Sequence, residues 1–487
     1  MKKIILSAAL LATTLMGCSD YLDINHNPNY PGSVSNDLLL PSAEAYIAGR
    51  VGGNMFNYAG FFCQYFEQAP DASQYQDISE YRFTIDMFSN DYALLYAGAL
   101  EDLKNIQTQA EANEAWGDYF VASVLNAYTY QILVDQMDKA PYTEALQGAA
   151  NPMPKWDNGE DIYADLLVKM DEAEAKLNDV SSVPNDMILG GDLEAWKQFA
   201  NAMRLRLLMR GSYAQDNSQA IKDLINKGNF FMGDIMFDNF SDEADKRNPW
   251  YTTNRIQLAN NHVASYPIVA YMKATSDPRL DICFTPAANT GTQEGEIPGS
   301  RQATANDNKK RSDFSTPIMG ATTPVYLYTQ AELQFFLAEA YLRFFNDDAK
   351  AKAAYEAAID ANFETRGITT GGSVLYADGK PCAWSGDQNA KLELIAKQKW
   401  AALCCINHIE SWAEIRRLGY PKMSSISTNS LYTNPTQLTA GELISPLVNQ
   451  LGTGLIKRLY YPQTAVNLND NTPEQAQLSD KVWWDKK

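Results

Sequence analysis

The strongest constraint on the fold of this chain is a run of helical periodicity that starts near Tyr328. Thr329 and Glu332 have the spacing of a capping box, in which each side chain accepts a hydrogen bond from a backbone amide at a helix start. Apolar residues then recur at intervals of three and four: Leu333, Phe336, Leu337, Ala340, Tyr341 and Phe344. This pattern predicts an amphipathic helix, with Glu339 and Arg343 as an i,i+4 ion pair outside its apolar face.

A second helix is predicted after the acidic turn at residues 346–348. One of its sides carries mostly small residues, namely Ala351, Ala354, Tyr355 and Ala358. Small side chains let two helices approach closely, so the pair approximates a tetratricopeptide hairpin. Similar helical stretches occur at 116–137, 161–177, 193–213 and 392–418. We therefore predict an all-α fold in which tetratricopeptide-like helix pairs form a helical scaffold.

One long segment interrupts this pattern. Residues from about 240 to 324 are rich in Asn, Thr, Gly and Pro and contain few periodic runs. Loops of this length in a compact protein are usually functional or disordered. We predict a single domain over residues 41–487, with this segment as a loop-rich insertion.

The N-terminus has the layout of an export signal. Lys2 and Lys3 precede an apolar run over residues 4–16, which is shorter than the ~20 residues that a membrane-spanning helix needs. The run ends at Gly17 followed by Cys18, the arrangement that bacterial lipoprotein processing requires. Residues 1–17 are therefore predicted to be a signal peptide, Cys18 to be lipidated, and residues 18–40 to form a tether.

The remaining cysteines do not suggest a disulfide framework. They are Cys63, Cys283, Cys382, Cys404 and Cys405. Their number is odd and two are adjacent in an apolar stretch, so we predict buried, inert thiols, although one bridge stays open.

Composition excludes several functions. Lys and Arg number 40 against 59 Asp and Glu, which gives a formal charge of -19 and argues against nucleic acid as a partner. The three histidines lack H-E-x-x-H spacing, and there is no G-x-S-x-G elbow or P-loop. No catalytic residue, metal site or cofactor is predicted. Paired carboxylates stay possible because acidic residues abound, so a helical glycoside hydrolase is the alternative.

Five segments together resemble the SusD/RagB-like family of outer-membrane nutrient-binding lipoproteins. They are WKQFANAMRLR at 196–206, AELQFFLAEA at 331–340, WAEIRRLGYP at 412–421, RLYYP at 458–462 and KVWWD at 481–485. The resemblance implies a helical scaffold with an irregular, ligand-facing region, on a protein anchored at the cell surface. It also implies a non-catalytic role: the protein captures a nutrient, here expected to be an oligosaccharide, and hands it to a SusC-like TonB-dependent transporter. A ligand of peptide nature stays open.

Within that resemblance, aromatic and amide side chains in polar loops are the candidate ligand contacts, since a sugar offers an apolar face and a rim of hydroxyls. These candidates are Tyr75, Tyr81, Asn248, Trp250, Tyr251, Asn254 and Trp384. The arginines of the motifs, Arg204, Arg206, Arg416 and Arg417, are instead expected to pair with carboxylates such as Glu332, Glu339 or Glu414. Trp483 and Trp484 are expected to pack inside the protein.

Overall fold

The computed structural model of the chain describes residues 34–178, 181–183, 185–452 and 454–487. The predicted signal peptide, Cys18 and most of the predicted tether lie outside these residues. The first helix of the described residues, Asn36–Val51, begins inside the predicted tether of residues 18–40. Its Leu39 and Leu40 are buried in the main core. Within the described parts, no helix is long and apolar enough to cross a membrane.

Helices dominate the structure, as the sequence pattern predicts. Twelve helices of nine or more residues occur among the described residues: α1 Asn36–Val51, α2 Asn54–Phe62, α3 Glu101–Asn113, α4 Trp116–Met137, α5 Gly159–Ala175, α6 Leu193–Gly211, α7 Ser218–Lys227, α8 Tyr266–Thr275, α9 Gln330–Ala340, α10 Asp348–Thr365, α11 Gln388–Leu403 and α12 His408–Leu418. Neighbours in sequence pack on each other, as α3 does on α4, α4 on α5, α9 on α10 and α11 on α12. The all-α prediction is confirmed.

Shorter helices join these elements. They are Gln76–Ser79, Ser89–Leu94, Pro249–Tyr251, Arg279–Cys283, Arg301–Asn306, Ser373–Tyr376, Thr428–Thr433 and Gln463–Leu468, with π-helical turns at Leu95–Leu100, Thr252–Gln257 and Tyr341–Phe345. Single 3-10 turns lie at Gly148–Ala150, Arg311–Asp313 and Pro435–Gln437.

In the part of the chain that the structure describes, six short strands form three antiparallel pairs. They are β1 Phe66–Gln68, β2 Lys139–Pro141, β3 Trp156–Asn158, β4 Ile235–Phe237, β5 His262–Ala264 and β6 Val325–Tyr328. The pairs are β1 with β5, β2 with β3, and β4 with β6. Two of the three pairs join segments far apart in the chain, so they fix the irregular regions against the helical scaffold.

The hairpin of α9 and α10 confirms most of its prediction. The Thr329 hydroxyl accepts a hydrogen bond from the Glu332 amide (3.1 Å), and the small face of α10 is buried. The second half of the predicted capping box is wrong, because the Glu332 carboxylate binds Arg206 instead (2.7 Å). The predicted i,i+4 pair of Glu339 and Arg343 is present (2.6 Å), and Glu339 is buried because α12 covers that side of α9.

A buried ion-pair network lies where five helices meet. Its cations are Arg206, Arg210, Lys399 and Arg417, and its carboxylates are Asp135, Glu332, Glu339, Glu410 and Glu414. These residues belong to α4, α6, α9, α11 and α12. Moving each ion out of water costs several kcal/mol unless an oppositely charged partner compensates. The partners are in place only when the five helices meet in this arrangement, so the network specifies it.

Three of the four motif arginines pair with carboxylates as predicted. Arg204 contacts Asp171 and Glu174, both at 2.8 Å, while Arg206 and Arg417 belong to the network. Arg416 differs, because its guanidinium donates to three backbone carbonyls, those of Trp412, Asp135 and Lys457 (3.1, 2.7 and 2.8 Å).

Tryptophans complete the surroundings of Arg416. Its guanidinium lies over the rings of Trp412 and Trp484, at 3.8 and 4.8 Å from the ring centroids. Trp484 is fully buried and Trp483 packs edge-on against Tyr163 (5.2 Å), which confirms the predicted packing role of both residues.

Replacing Arg417 with Met tests the network. The change leaves the buried carboxylates of Glu339 and Glu414 with one cation fewer, so we expect a loss of about 3 to 5 kcal/mol in the free energy of unfolding. The measurement is urea denaturation followed by circular dichroism. Lys169→Met is the control, because this exposed lysine pairs with the exposed Glu172 on the same helix and should matter by less than about 1 kcal/mol. Equal losses in both variants would contradict the assigned role.

Candidate functional site

The pairing of β1 with β5 brings two polar segments to the same edge of the protein. The strands are antiparallel and Gln68 faces His262, so residues 69–75, which follow β1, lie beside residues 252–261, which precede β5. The first backbone amide after β1 donates to the carbonyl oxygen of Asn261 (2.8 Å). Two segments separated by almost two hundred residues are thereby locked together.

A third segment, residues 299–313, is tied to both of them by arginines. The Arg301 Nε donates to the carbonyl oxygen of Ala72 (2.8 Å), in the first segment. The Arg311 Nη1 donates to the carbonyl oxygen of Ala259 (3.3 Å), in the second. We call the surface formed by residues 69–75, 252–261 and 299–313 the three-loop surface.

The exposed side chains of the three-loop surface are suited to a hydroxyl-rich ligand. They include Asp71, Ser73, Gln74, Gln257, Asn260, Lys309 and Lys310. Amides and carboxylates accept hydrogen bonds from sugar hydroxyls, while amides and ammonium groups donate to them. Tyr251, which is partly exposed, adjoins this surface. Among the predicted contacts, it supplies an aromatic ring that a ligand on this surface could reach.

The surface is locally basic on an otherwise acidic chain. Its cationic side chains are Arg255, Arg301, Lys309, Lys310 and Arg311. Arg255 stacks on the Trp250 ring (4.7 Å to the centroid) and donates to the carbonyl oxygen of Pro317 (2.5 Å). Burial, together with the nearby charge of Arg311, lowers the pKa of Arg255 to about 10.

A buried layer supports this surface from below. The Tyr75 hydroxyl donates to Asn254 Oδ1 (2.5 Å), and the Tyr75 ring packs against His262 (4.9 Å between centroids). Trp250 is fully buried, and its indole N–H donates to Asn57 Oδ1 (3.2 Å). Of the predicted ligand contacts, Tyr75, Trp250 and Asn254 thus meet in one cluster, although their side chains point into the protein.

Two further predicted residues are also buried. Asn248 is the N-cap of the short helix that starts at Pro249, where its Oδ1 accepts from the Tyr251 amide (3.0 Å). Tyr81 is 2% exposed and packs edge-on against Phe62. These rings and amides are buried because strand pairs and short helices fold the polar loops back onto the core. Direct ligand contact by the buried residues stays a prediction, and their contacts in this structure belong to the fold.

Trp384 lies in a different place. It packs on Tyr355 of α10 (5.2 Å), its indole N–H donates to Asp348 (3.2 Å), and it belongs to a second hydrophobic cluster under α9 and α10. Its neighbours Ala383 and Ser385 line an open cavity of about 410 Å³ between α8 and α11, within the range of small-molecule sites. The structure does not bring Trp384 together with the other six candidates.

Glu67 joins the segments of the three-loop surface at their base. Its Oε2 accepts from the Ser79 hydroxyl (2.5 Å) and from the Gly299 amide (3.2 Å). Burial raises the pKa of Glu67 to about 8. Burial and the proximity of Glu67 also raise the pKa of Glu296 well above its usual range. Both carboxyls are enclosed, at 3% and 1% exposure, so neither reaches a ligand on the surface.

Sequence reasoning missed most of the exposed groups of this surface. The basic run at residues 309–311, in an acidic chain, was a usable signal. The positions of Asp71, Gln74 and Asn260 depend on the β1–β5 pairing, which no local pattern shows.

The helical scaffold and the polar surface built on irregular loops define a binding protein of the helical-repeat class. A family profile described as SusD-like, starch-binding and associating with the outer membrane, matches residues 28–439. The chain therefore belongs to the SusD-like family. A search of curated proteins gave no match.

Solved structures agree with this assignment of the fold. A chitin-binding protein is 24% identical, with a TM-score of 0.72 over 92% of this chain and 98% of its own. A SusD homologue from Bacteroides uniformis is 21% identical, with a TM-score of 0.71 over 92% of this chain and 100% of its own. A chitin-binding SusD homologue from Flavobacterium johnsoniae is 19% identical, with a TM-score of 0.72 over 91% and 98% of the two chains.

Replacing Glu67 with Gln should change how stability depends on pH. A carboxyl whose pKa is raised on folding keeps a proton that the unfolded chain has released, so its contribution to stability falls as pH rises from 4.5 to about 8. Gln mimics the protonated form and does not titrate. Titration of this carboxyl lowers the free energy of unfolding by up to about 1.4 kcal/mol per pH unit across this range. In thermal melts, we expect this decrease to be absent from the variant.

The control for this experiment is Glu172→Gln, at a carboxylate that is 58% exposed. Its pH profile should follow that of the unchanged protein. A Glu67→Gln profile that also runs parallel to the unchanged protein would show that this carboxyl is not protonated in the fold.

Proposed function

We propose that this protein is a non-catalytic, lipid-anchored protein of the outer membrane that captures an oligosaccharide and hands it to a SusC-like TonB-dependent transporter. The observation that carries the proposal is the three-loop surface, where exposed amide, hydroxyl and charged groups from three distant segments are held together. Family membership supports the outer-membrane setting. The chitin-binding relatives support a glycan as the ligand class.

A binding role accords with the carboxylates at the site. A glycosidase needs two carboxyl groups open to the scissile bond, about 5 to 10 Å apart. Beneath this surface, Glu67 and Glu296 are closed off by the fold. On the surface, the Asp71 carboxylate accepts from the Arg311 amide (3.1 Å) and the Asp313 carboxylate from the Lys310 amide (2.8 Å), so both take part in holding the loops. We therefore favour capture over cleavage.

The location of the surface accords with delivery to a transporter. A ligand held by irregular loops on a rigid scaffold is covered on one side only, so a partner can close over it. The excess of acidic residues keeps the body soluble near the membrane and helps to orient it against a partner.

Calorimetry against neutral and acidic oligosaccharides tests the binding role. We expect one glycan class to bind, with no cleavage products after prolonged incubation. The double variant Gln74→Ala/Lys310→Ala removes two exposed side chains of the three-loop surface and should weaken binding about tenfold or more. The full chain is the material for all measurements.

Two matched variants locate the site. Lys350→Ala removes a 63% exposed side chain on α10 and should leave the affinity unchanged. Lys397→Ala alters the cavity near Trp384, and a loss of affinity in this variant alone would move the site there. Cleavage products would overturn the non-catalytic role, and binding of peptides without glycans would replace the ligand class.

Changing Cys18 to Ala tests the anchor. Each acyl CH₂ buried in the membrane contributes about 0.8 kcal/mol, so loss of the acyl chains should release the protein into the soluble fraction. The measurement is fractionation of cells followed by immunoblotting, with Cys63→Ser as the control at a buried cysteine. Continued membrane retention of the Cys18→Ala variant would contradict lipidation.

A further inference from the structure

Three cysteines from two distant parts of the chain meet in the interior. Cys283 ends the short helix Arg279–Cys283, while Cys404 and Cys405 lie in the turn between α11 and α12. Their sulfur atoms all lie within 4.8 Å of one another, and those of Cys404 and Cys405 are 4.0 Å apart. All three thiols are free and buried, as the sequence predicted, but their convergence was not predicted.

The spacing of the sulfurs suits a metal ion. Thiolate sulfur binds Zn²⁺ at about 2.3 Å, so sulfurs on a tetrahedral ion lie about 3.8 Å from one another. The observed distances reach this arrangement by shifts of less than about 1 Å. A disulfide needs sulfurs about 2 Å apart, which asks for a larger displacement of packed side chains.

A positive charge beside the sulfurs balances the negative charge that three thiolates and a divalent cation would carry together. Arg366 Nη1 donates to Cys283 Sγ (3.2 Å), and its Nη2 donates to the carbonyl oxygens of Cys404 and Ala402 (2.5 and 3.0 Å). Three thiolates and one divalent ion carry a net charge of minus one, which the guanidinium neutralises. A neutral assembly is the one that a buried site tolerates.

The protonation of the thiols agrees with this picture. Hydrogen bonds from the S–H groups of Cys404 and Cys405, with the charge of Arg366 nearby, lower the pKa of Cys283 well below its usual range. Hydrogen bonding to Cys283 and burial raise the pKa of Cys405. Of the three thiols, Cys283 is therefore the one that ionises most readily.

His408 fixes the backbone of the turn and leaves the sulfurs as the ligands. Its Nε2 accepts from the Cys405 amide (2.9 Å) and its Nδ1 donates to the carbonyl oxygen of Phe56 (2.9 Å), so both nitrogens are occupied. Burial lowers the pKa of His408 to about 3, which keeps the ring neutral. Cys405 has a φ of 57°, a left-handed conformation that is strained for a residue other than glycine.

A place for a fourth ligand adjoins the cluster. Cys405 lines a cavity of about 10 Å³ together with Asn248 and Asn407. This volume is close to what one water molecule needs. Catalytic and exchangeable zinc sites commonly combine three protein ligands with a water.

We propose that Cys283, Cys404 and Cys405 form a binding site for a thiophilic divalent cation, Zn²⁺ in the natural setting, with a water as the fourth ligand. Binding forms three metal–sulfur bonds and releases the protons of the ligating thiols to solvent. The affinity therefore rises with pH. None of the three cysteines belongs to the three-loop surface.

Titration of the full, reduced and metal-stripped chain with Cd²⁺ tests this site, because cadmium–thiolate bonds absorb in the ultraviolet. We expect one ion per chain with that absorption. We also expect the chain to remove Zn²⁺ from a chromogenic chelator in a competition assay. Arg366→Gln should weaken the binding about 10- to 100-fold, as changes in groups that orient metal ligands do. Cys382→Ser removes a buried thiol outside the cluster and should bind as the unchanged chain does.

Cys404→Ser and Cys283→Ser should each abolish the thiolate absorption at one ion per chain. Melting curves establish whether each variant is folded, and Arg366→Gln decides the question should both serine variants unfold. Binding that persists in a folded serine variant would overturn the proposal. Mass spectrometry and peptide mapping of the unreduced chain give a second test. A disulfide involving Cys283, Cys404 or Cys405 would also overturn the proposal, since the thiols would then serve as a redox pair.

Discussion

Buried charges determine how the helices of this protein meet. Arg417 contacts the carboxylates of both Glu339 and Glu414, and Arg210 contacts Glu410 and Glu414, so α6, α9 and α12 share one hydrogen-bonded arrangement. An apolar interface tolerates small slides of one helix along another, whereas a displaced buried ion pair leaves a charge without compensation. The network therefore specifies a single register where apolar packing alone would permit several.

The buried ion-pair network gives the three-loop surface a fixed support, which allows that surface to be irregular. The regular elements of the three-loop surface are short helical turns, and its segments depend on β1, β5 and the carboxyl of Glu67 for their positions. Loops that carry function are usually positioned by a scaffold that does not move. Here the scaffold begins directly beneath them, because the segment after α2 leads into β1 and the ring of Trp250 packs between these elements.

The helices could be predicted from sequence, while the surface could not. The periodicity after Tyr328 and the acidic turn before α10 are local signals, and both gave correct helix starts. The motif arginines were assigned to ion pairs by the cost of burying a charge, and only Arg416 departed from this rule, since carbonyl groups and tryptophan rings surround it. The β1–β5 pairing depends instead on contacts between residues far apart in sequence.

The same limitation explains why aromatic residues in polar loops were poor indicators of the surface. Trp250 and Tyr75 stand among Asn, Ser and Asp in the sequence, yet the strand pair turns both rings inward and leaves the polar neighbours outside. A large ring gains more from burial than the surrounding polar groups lose, provided their backbone hydrogen bonds are made. In a loop held against a scaffold, the polar residues are therefore the ones that meet solvent, and the rings pack beneath them.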